Sequence, residues 1–190
     1  MMLWDIARAS ALIAFVCYTL TVAWGIGLSA RWWRPAADHV GFHRFLSALG
    51  LVAVVTHVGA LLADRYARVS LAALVGRDPR PGVVAGAIAF WLVLALPFSF
   101  RLRRARVLSQ RVWRSLHYLA YAAWGLSLVH GVTSGTDTRS GAAVALYAGS
   151  AAIVGAAAWY RWLERPPVPL PTPRPAPAVR AEVEVERAGR

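Results

Sequence analysis

The chain has 190 residues, of which 58% are hydrophobic and 16% are charged, and its mean hydropathy is +0.48. A soluble domain is nearer half apolar and about a quarter charged, so this composition excludes an ordinary soluble enzyme and indicates a polytopic membrane protein. The formal net charge of +12 comes from arginines that flank apolar runs. Because these arginines form no basic face on a polar fold, we expect no nucleic-acid partner.

Five apolar segments are long enough to cross roughly 30 Å of hydrocarbon, which takes about 17–25 helical residues. They run approximately over Ala9–Ala30, Gly41–Ala63, Val83–Phe100, Leu116–Thr133 and Ala142–Trp162. Each is predicted to be a helix, since a chain in lipid must satisfy its backbone polar groups within the segment. The first is too long for a signal peptide and is expected to be a retained span. The predicted fold class is therefore an all-α transmembrane bundle of about five helices.

The connections between the spans predict the topology. Residues 101–114 hold six arginines and no acidic residue, and the positive-inside rule places this connection in the cytoplasm. Alternation then places residues 31–34 and the tail after Arg161 inside, with the loops 64–82 and 134–141 outside. We expect a multi-pass protein of the cell (plasma) membrane with its N-terminus outside and its C-terminus inside.

The C-terminal tail differs in composition from the rest of the chain. Residues 166–177 are rich in proline, which is typical of an extended, solvated strand and excludes a helix. The segment that follows is short and charged, and we expect it to be disordered. The sequence thus predicts two parts, a transmembrane domain over residues 5–163 and a disordered cytoplasmic tail over residues 164–190.

Four of the five histidines lie at the ends of two predicted spans. His43 and His57 are 14 residues apart, and His117 and His130 are 13 residues apart, which is roughly 20 Å along a helix. One span separates the two helices in sequence, so both run in the same direction. His43 is then level with His117, and His57 with His130. Ionisable residues inside membrane spans are costly and mark candidate functional sites.

Helical rotation adds a condition to this pairing. Fourteen residues at about 100° each return to within roughly 40° of the start, so His43 and His57 share a face. Thirteen residues miss by roughly 140°, so His117 and His130 share a face only if the helix bends, overwinds or leaves one histidine at a frayed end. Gly125 and Gly131 are expected places for such a bend.

Two facing neutral imidazoles can hold haem iron or a metal ion such as zinc or copper. A structural zinc needs four nitrogen or sulfur ligands close together, and neither pair has an acid or a cysteine beside it. A six-coordinate haem needs two axial imidazoles, because its porphyrin supplies the other four ligands. Arg44 and Arg114 can pair with the propionates of an inner haem, although anchoring at the membrane surface is the role that we favour for them. Hydrogen bonding across the bundle without any cofactor stays open as an alternative.

The segments H-R-F-L-S-A-L-G-L-V-A-V-V-T-H (43–57) and W-R-S-L-H-Y-L-A-Y-A-A-W-G-L-S-L-V-H (113–130) resemble the ferric reductase-like transmembrane domain. That superfamily includes ferric-chelate reductases, NADPH oxidases and the haem subunit of the bacterial methionine sulfoxide reductase system. The resemblance covers roughly residues 5–163 and implies two b haems with the pairs His43/His117 and His57/His130 as axial ligands. Eukaryotic members carry a C-terminal flavin and nicotinamide module, and this chain shows no G-x-G-x-x-G motif after its last span.

The resemblance implies a membrane cytochrome b that passes electrons from a cytoplasmic donor, through the inner and then the outer haem, to an external acceptor. The donor is expected to be a separate flavoprotein reductase or quinol. Ferric iron, oxygen, a protein reductase and a quinone all stay open as acceptors, and so does an oxidoreductase activity of the chain itself. Two other functions stay open: a haem-binding subunit that serves a dedicated extracytoplasmic reductase, and a non-redox membrane scaffold or transporter.

Several other residues are secondary candidates. His39 is expected to be an interfacial loop histidine, and Asp64 and Asp137 are expected to cap helices or to guide a cationic acceptor. The aromatic residues that either line the haems or simply pack the bundle are Tyr118, Tyr121, Trp124 and Trp91. Cys17, the only cysteine, cannot form an intrachain disulfide and is expected to be a small buried hydrophobe.

Overall fold

The computed structural model describes residues 2–32, 37–65, 67 and 69–164. Within these residues the chain is helical and contains no strand, so the all-α prediction is confirmed. The helices are α1 (Met2–Ala30), α2 (Ala37–Ala63), α3 (Leu71–Leu74), α4 (Pro81–Arg104), α5 (Gln110–His117), α6 (Leu119–Ser134) and α7 (Gly141–Leu163). The predicted disorder of the tail falls on residues 165–190, which lie outside the described residues.

Four helices of the described chain, α1, α2, α4 and α7, are long and apolar enough to cross a membrane. The fourth predicted span is divided, because α5 ends at His117 and α6 begins at Leu119. The backbone N–H of Tyr118 donates to the carbonyl groups of Arg114, at 3.3 Å, and Ser115, at 3.2 Å. The chain therefore passes from α5 to α6 through a tightened turn, and the two helices together cover the predicted span. About five spans is consistent with this architecture.

The interruption at Tyr118 lies elsewhere than the sequence predicts. Gly125 and Gly131 are both inside the continuous helix α6, so the helix is interrupted at Tyr118 and not at these glycines. His117 instead terminates the short helix α5, which is the frayed-end alternative. A residue at a helix end does not have to follow the rotation of 100° per residue. The break after His117 therefore compensates for the angular difference between His117 and His130 on a regular helix.

Helix α1 is the centre of the bundle. It is the most buried of the four candidate spans, and it packs against α2, α6 and α7. Val22 and Ile26 of α1 form a buried cluster with Val154 and Ala157 of α7. Four helices, α1, α2, α4 and α6, each contact the next around a ring, whereas α2 and α6 are not among the closely packed pairs. Helix α2, which carries His43 and His57, and helix α6, which carries His130, therefore occupy opposite positions in this ring.

Small side chains allow these helices to approach closely. The buried positions of α2 include Leu46, Gly50, Ala53 and Ala60, which recur every three or four residues along one face. Without a hydrophobic driving force in lipid, helices associate through close van der Waals contact between such small residues. His57 falls within this stripe, so the packing of α2 on α1 also determines where the histidine points.

The connection between α2 and α4 is tied down by polar contacts. The indole N–H of Trp91 in α4 donates to the carbonyl group of Leu74 in α3, at 2.7 Å. Ahead of α4, the Arg80 guanidinium donates to the Asp78 carboxylate at 2.8 Å. This hydrogen bonding lowers the pKa of the Asp78 carboxyl to about 2, so the pair stays ionised at any physiological pH.

The two ends of the bundle differ in charge. One end carries Arg31, Arg44, Arg101, Arg103, Arg104, Arg106, Arg111, Arg114 and Arg161 against the acids Asp38 and Glu164. At the opposite end, Asp5, Asp64, Asp78 and Asp137 accompany Arg8, Arg65, Arg77, Arg80 and Arg139. An ion pair between Arg8 and Asp137 joins α1 to the connection between α6 and α7 at this second end. Among the described residues, the excess of positive charge is therefore concentrated at the first end, which we call the arginine-rich end.

A polar contact in the interior links α1 to α6. The indole N–H of Trp124 donates to Thr19 Oγ1 at 3.0 Å, and Thr19 is 4% exposed. Replacing Thr19 with valine keeps the shape and removes the acceptor, so we expect the free energy of unfolding in detergent to fall by about 0.6–1.7 kcal/mol.

Titration with a denaturing detergent, followed by circular dichroism, measures this change. Thr56→Val is the matched control, because Thr56 Oγ1 donates only to the Val52 carbonyl group of its own helix, on an exposed face. An equal loss of stability in the two variants would show that Trp124 gains nothing from Thr19.

Candidate functional site

The structure brings the four histidines together in the two pairs that their spacing predicts. The rings of His43 and His117 have centroids 6.2 Å apart and planes inclined at 64°. The rings of His57 and His130 have centroids 6.2 Å apart and planes inclined at 66°. All four side chains are half-buried. We call His43/His117, at the arginine-rich end, the inner pair and His57/His130 the outer pair.

Backbone carbonyl groups of neighbouring helices hold both rings of the outer pair. His57 Nδ1 lies 2.8 Å from the carbonyl oxygen of Ala7 in α1, and His130 Nδ1 lies 2.8 Å from that of Gly82 in α4. A carbonyl oxygen only accepts hydrogen bonds, so each Nδ1 carries the proton and donates. Each neutral ring then keeps a lone pair on Nε2 as its remaining polar group.

This protonation pattern has a chemical consequence for the outer pair. Two rings whose Nε2 atoms are both acceptors cannot hydrogen-bond to each other. A metal ion between them satisfies both lone pairs, and histidine ligands of metals commonly donate their other ring N–H to a backbone carbonyl group, as His57 and His130 do here. The outer pair therefore has the hydrogen bonding of two metal ligands.

The spacing of the rings fits one metal ion coordinated from opposite sides. A metal–nitrogen bond of about 2 Å, with roughly 1.1 Å more to the ring centre, places two such imidazole centroids about 6 Å apart. Both pairs match this separation, at 6.2 Å. No group of three or more His, Cys, Asp or Glu side chains that could hold a metal occurs in the described part of the chain. Two nitrogens are too few for a structural zinc, whereas the porphyrin of a haem supplies the other four ligands of its iron, so these residues fit haem.

Glycines of the supporting helices back one ring in each pair. A Cβ atom built on Gly86 of α4 would lie 2.6 Å from His130 Nδ1, and one built on Gly25 of α1 would lie 3.2 Å from His43 Cε1. Gly82 and Gly86 are four residues apart on α4 and both face α6. The sequence analysis missed this pair, although the G-x-x-x-G spacing in an apolar helix signals close packing.

The inner pair is supported by rings instead of carbonyl groups. His117 stacks on Trp113, with centroids 5.1 Å apart and planes inclined at 23°. The guanidinium carbon of Arg103 lies 4.6 Å from the centroid of the same indole. His43 Nδ1 is buried without a full hydrogen bond, while the backbone of Thr21 faces it. Trp113 precedes His117 by four residues, which is the signal that predicts their contact on one helix face.

The region between the two pairs is filled by protein. Gly50 is seven residues from both His43 and His57, so it shares their face. A Cβ atom on Gly50 would lie 3.1 Å from ring carbons of Tyr18 and 3.2 Å from Cys17 Cβ. Helix α1 therefore packs closely on this face of α2 at the level of Gly50. Cys17 is buried, as predicted.

The predicted propionate partners lie at the inner end. Arg44 directly follows His43 on α2, and Arg114 precedes His117 by three residues on α5. Both side chains are exposed at the arginine-rich end of the bundle. Their placement suits either of the two roles that the sequence predicts, a contact to a propionate or an anchor at the membrane surface.

The secondary histidine and acids have local partners in the structure. His39 packs its ring against Trp24, at 5.7 Å between centroids, and accepts a hydrogen bond from that indole through its backbone carbonyl group. Asp64 accepts from the backbone N–H of Ala67 at 3.3 Å, and Asp137 pairs with Arg8. His39 lies inside α2, so the expected position in a loop is wrong, because the helix begins at Ala37. The contacts of Asp64 and Asp137 give both acids structural roles.

The secondary aromatic candidates also have roles in packing. Trp91 is 51% exposed and bonds to Leu74. Tyr118 and Tyr121 stack on each other at 6.1 Å on an exposed face. Trp124 bonds to Thr19. Bundle packing thus accounts for all four, which is one of the two alternatives that the sequence left open.

Comparison with protein-family models, curated proteins and solved structures gave no match to this chain. Its function is therefore inferred from the two histidine pairs and from the chemistry of their surroundings. The strongest of these features is the outer pair, where spacing and hydrogen bonding agree on the same kind of ligand.

The contact between Gly86 and His130 gives a direct test of how the outer site is shaped. Gly86→Ala places a methyl group against the ring, so His130 must move and release the Gly82 carbonyl group. If each pair holds one haem, as the resemblance implies, we expect the variant to lose about half of the haem bound per chain, as measured by absorbance of the purified protein.

Gly155→Ala on α7 is the control, since a Cβ atom there meets open space. Equal haem content in Gly86→Ala and in the control would contradict the proposed contact. A loss in both variants would indicate a general effect on folding.

Proposed function

We propose that this chain is an integral membrane cytochrome b of the ferric reductase-like type. In this proposal His43/His117 and His57/His130 are the axial ligands of two b haems, and the chain carries electrons across the cell membrane. One observation supports it above all others: the His57 and His130 rings are 6.2 Å apart while both Nδ1 atoms donate to backbone carbonyl groups. Hydrogen bonding between the two rings cannot satisfy the remaining Nε2 atoms, since both are then acceptors.

The protein's contribution is to fix the orientation and the basicity of the ligands. An Nδ1–H group that donates to a carbonyl oxygen determines which nitrogen faces the metal and makes that nitrogen a stronger donor. Ala7 and Gly82 supply these carbonyl groups from α1 and α4, which are rigid helices on either side of the site.

Bound haem supplies one-electron redox chemistry between a donor at the arginine-rich end and an acceptor at the other end. Each electron lost by the donor is gained by the acceptor, and a reduced flavoprotein or quinol is oxidised in two such transfers with release of its protons on its own side. Arg44 and Arg114 are exposed beside the inner pair, where they bind propionates or an anionic donor surface. The chemical identity of the external acceptor is left open by these residues.

The distribution of charge supports the direction of this transfer. The positive-inside rule favours arginines on the cytoplasmic side of the membrane. The arginine-rich end and the inner pair would then lie at that side. The N-terminus is then outside and α7 ends inside. The outer pair lies near the opposite membrane surface, where Asp64 and Asp137 balance part of the arginine charge.

The first test is the absorbance spectrum of detergent-purified protein, oxidised and reduced, with haem quantified per chain. We expect two low-spin b haems per chain, and about one in His43→Ala or His57→Ala, because each variant removes one axial ligand. Haem must be supplied during expression.

His39→Ala is the matched control, since this histidine packs on Trp24 and its loss is expected to leave both haems bound. A colourless protein, or full haem content in both ligand variants, would overturn the proposal. The non-redox scaffold or transporter would then be the better interpretation of the four histidines.

A further inference from the structure

We propose that Trp113 positions the inner ligand His117, and that Arg103, seated on the same indole, makes the inner haem easier to reduce. This inference rests on the proposed function and adds to it a device that sets the potential of one haem. Its elements come from α5 and from the end of α4 that is opposite to Gly82 and Gly86.

The three side chains form a continuous stack. Arg103 lies 4.6 Å from the indole centroid, and the indole lies 5.1 Å from the imidazole centroid of His117, with the two planes inclined at 23°. A guanidinium over an indole face is held by a cation–π interaction. The stack therefore carries a permanent positive charge to within one aromatic ring of the ligand.

The indole itself is confined by its neighbours. Phe100 of α4 contacts it at 6.2 Å between centroids, with the planes inclined at 59°. Trp113 Nε1 is buried and has no hydrogen-bond partner among the described residues, so the indole is held by its ring contacts and not by its polar atom. Because His117 is the last residue of α5, its helix restrains it least, and the stacked indole supplies the missing restraint.

The charge has a predictable electrical effect. Reducing a haem adds one negative charge, and a nearby cation stabilises that state. At a separation on the order of 10 Å and an effective dielectric constant of about 20, one unit charge changes the reduction equilibrium by roughly tenfold, and solvent around the half-buried Arg103 reduces this to about threefold. The outer pair has neutral carbonyl groups in the corresponding place, so the effect is confined to the inner haem.

Redox titration followed by absorbance tests the role of the cation. We expect Arg103→Gln to lower the equilibrium constant for reduction of the inner haem about threefold and to leave the outer haem unchanged. The inner haem is measured alone in a His57→Ala background. Arg104→Gln is the matched control, since Arg104 is the next arginine on α4 and is exposed. Equal shifts in the two variants would overturn the proposal, because they would reflect surface charge in general.

Electron paramagnetic resonance of the oxidised protein tests the role of the indole. Trp113→Ala is expected to broaden or shift the low-spin signal of the inner haem, and Trp113→Phe, which keeps a stacking ring, to restore it. An unchanged signal in Trp113→Ala would show that the indole only packs the bundle. Wild-type protein without haem would instead overturn the proposed function, whereas haem with potentials indifferent to Arg103 would overturn this inference alone.

Discussion

An imidazole ring inside hydrocarbon must satisfy two nitrogen atoms where no water is available, and this requirement organises the bundle. At the outer pair the first nitrogen of each ring is satisfied by a backbone carbonyl group, from Ala7 for His57 and from Gly82 for His130. The second nitrogen is left for a ligand that accepts electron pairs. Helix α1 carries none of the paired histidines but is the most buried of the four candidate spans. Its position relative to α2 matters because the Ala7 carbonyl group of α1 determines where His57 of α2 points.

Carbonyl groups within a helix can serve a neighbouring ring only when the two helices approach closely. Small residues provide that approach, at Gly25 against His43 and at Gly86 against His130. In the proposed function α2 must also stay apart from α6, since the space between the paired rings would hold a coordinated metal. Helix α1 packs closely on α2, and α4 packs closely on α6, while α2 and α6 stay apart. This arrangement brings carbonyl groups to the rings and also leaves space between the paired rings.

Sequence patterns predicted the C-terminal ends of the spans closely and the levels of the paired histidines, because hydropathy and a rise of 1.5 Å per residue act along each segment separately. The starts were predicted less well, since α1 begins at Met2 and not at Ala9, and α5 begins at Gln110 and not at Leu116. The patterns did not predict the interruption at Tyr118, since periodicity reveals a conflict of phase between His117 and His130 but not where the backbone relaxes. The carbonyl groups of Ala7 and Gly82 have no sequence signature, because every residue type has the same backbone carbonyl group. The contact between Tyr18 and Gly50 depends on how α1 is rotated about its own axis, and the sequence pattern does not predict that rotation. The Trp113–His117 contact, by contrast, was readable from its spacing of four residues.

The two pairs differ in their electrostatic surroundings, and this difference bears on the direction of electron transfer in the proposed function. Positive charge at the arginine-rich end attracts an electron-rich donor and stabilises an electron on the inner haem, which opposes its departure. A membrane potential that is negative inside works in the opposite sense, by about 2.3 kcal/mol per electron and 100 mV for a full crossing. Outward transfer then requires that the stabilisation of the electron on the inner haem is smaller than the driving force from the membrane potential and the acceptor together. A single arginine screened by an indole, as Arg103 is by Trp113, supplies a modest stabilisation that meets this condition better than a cation in direct contact with the ligand.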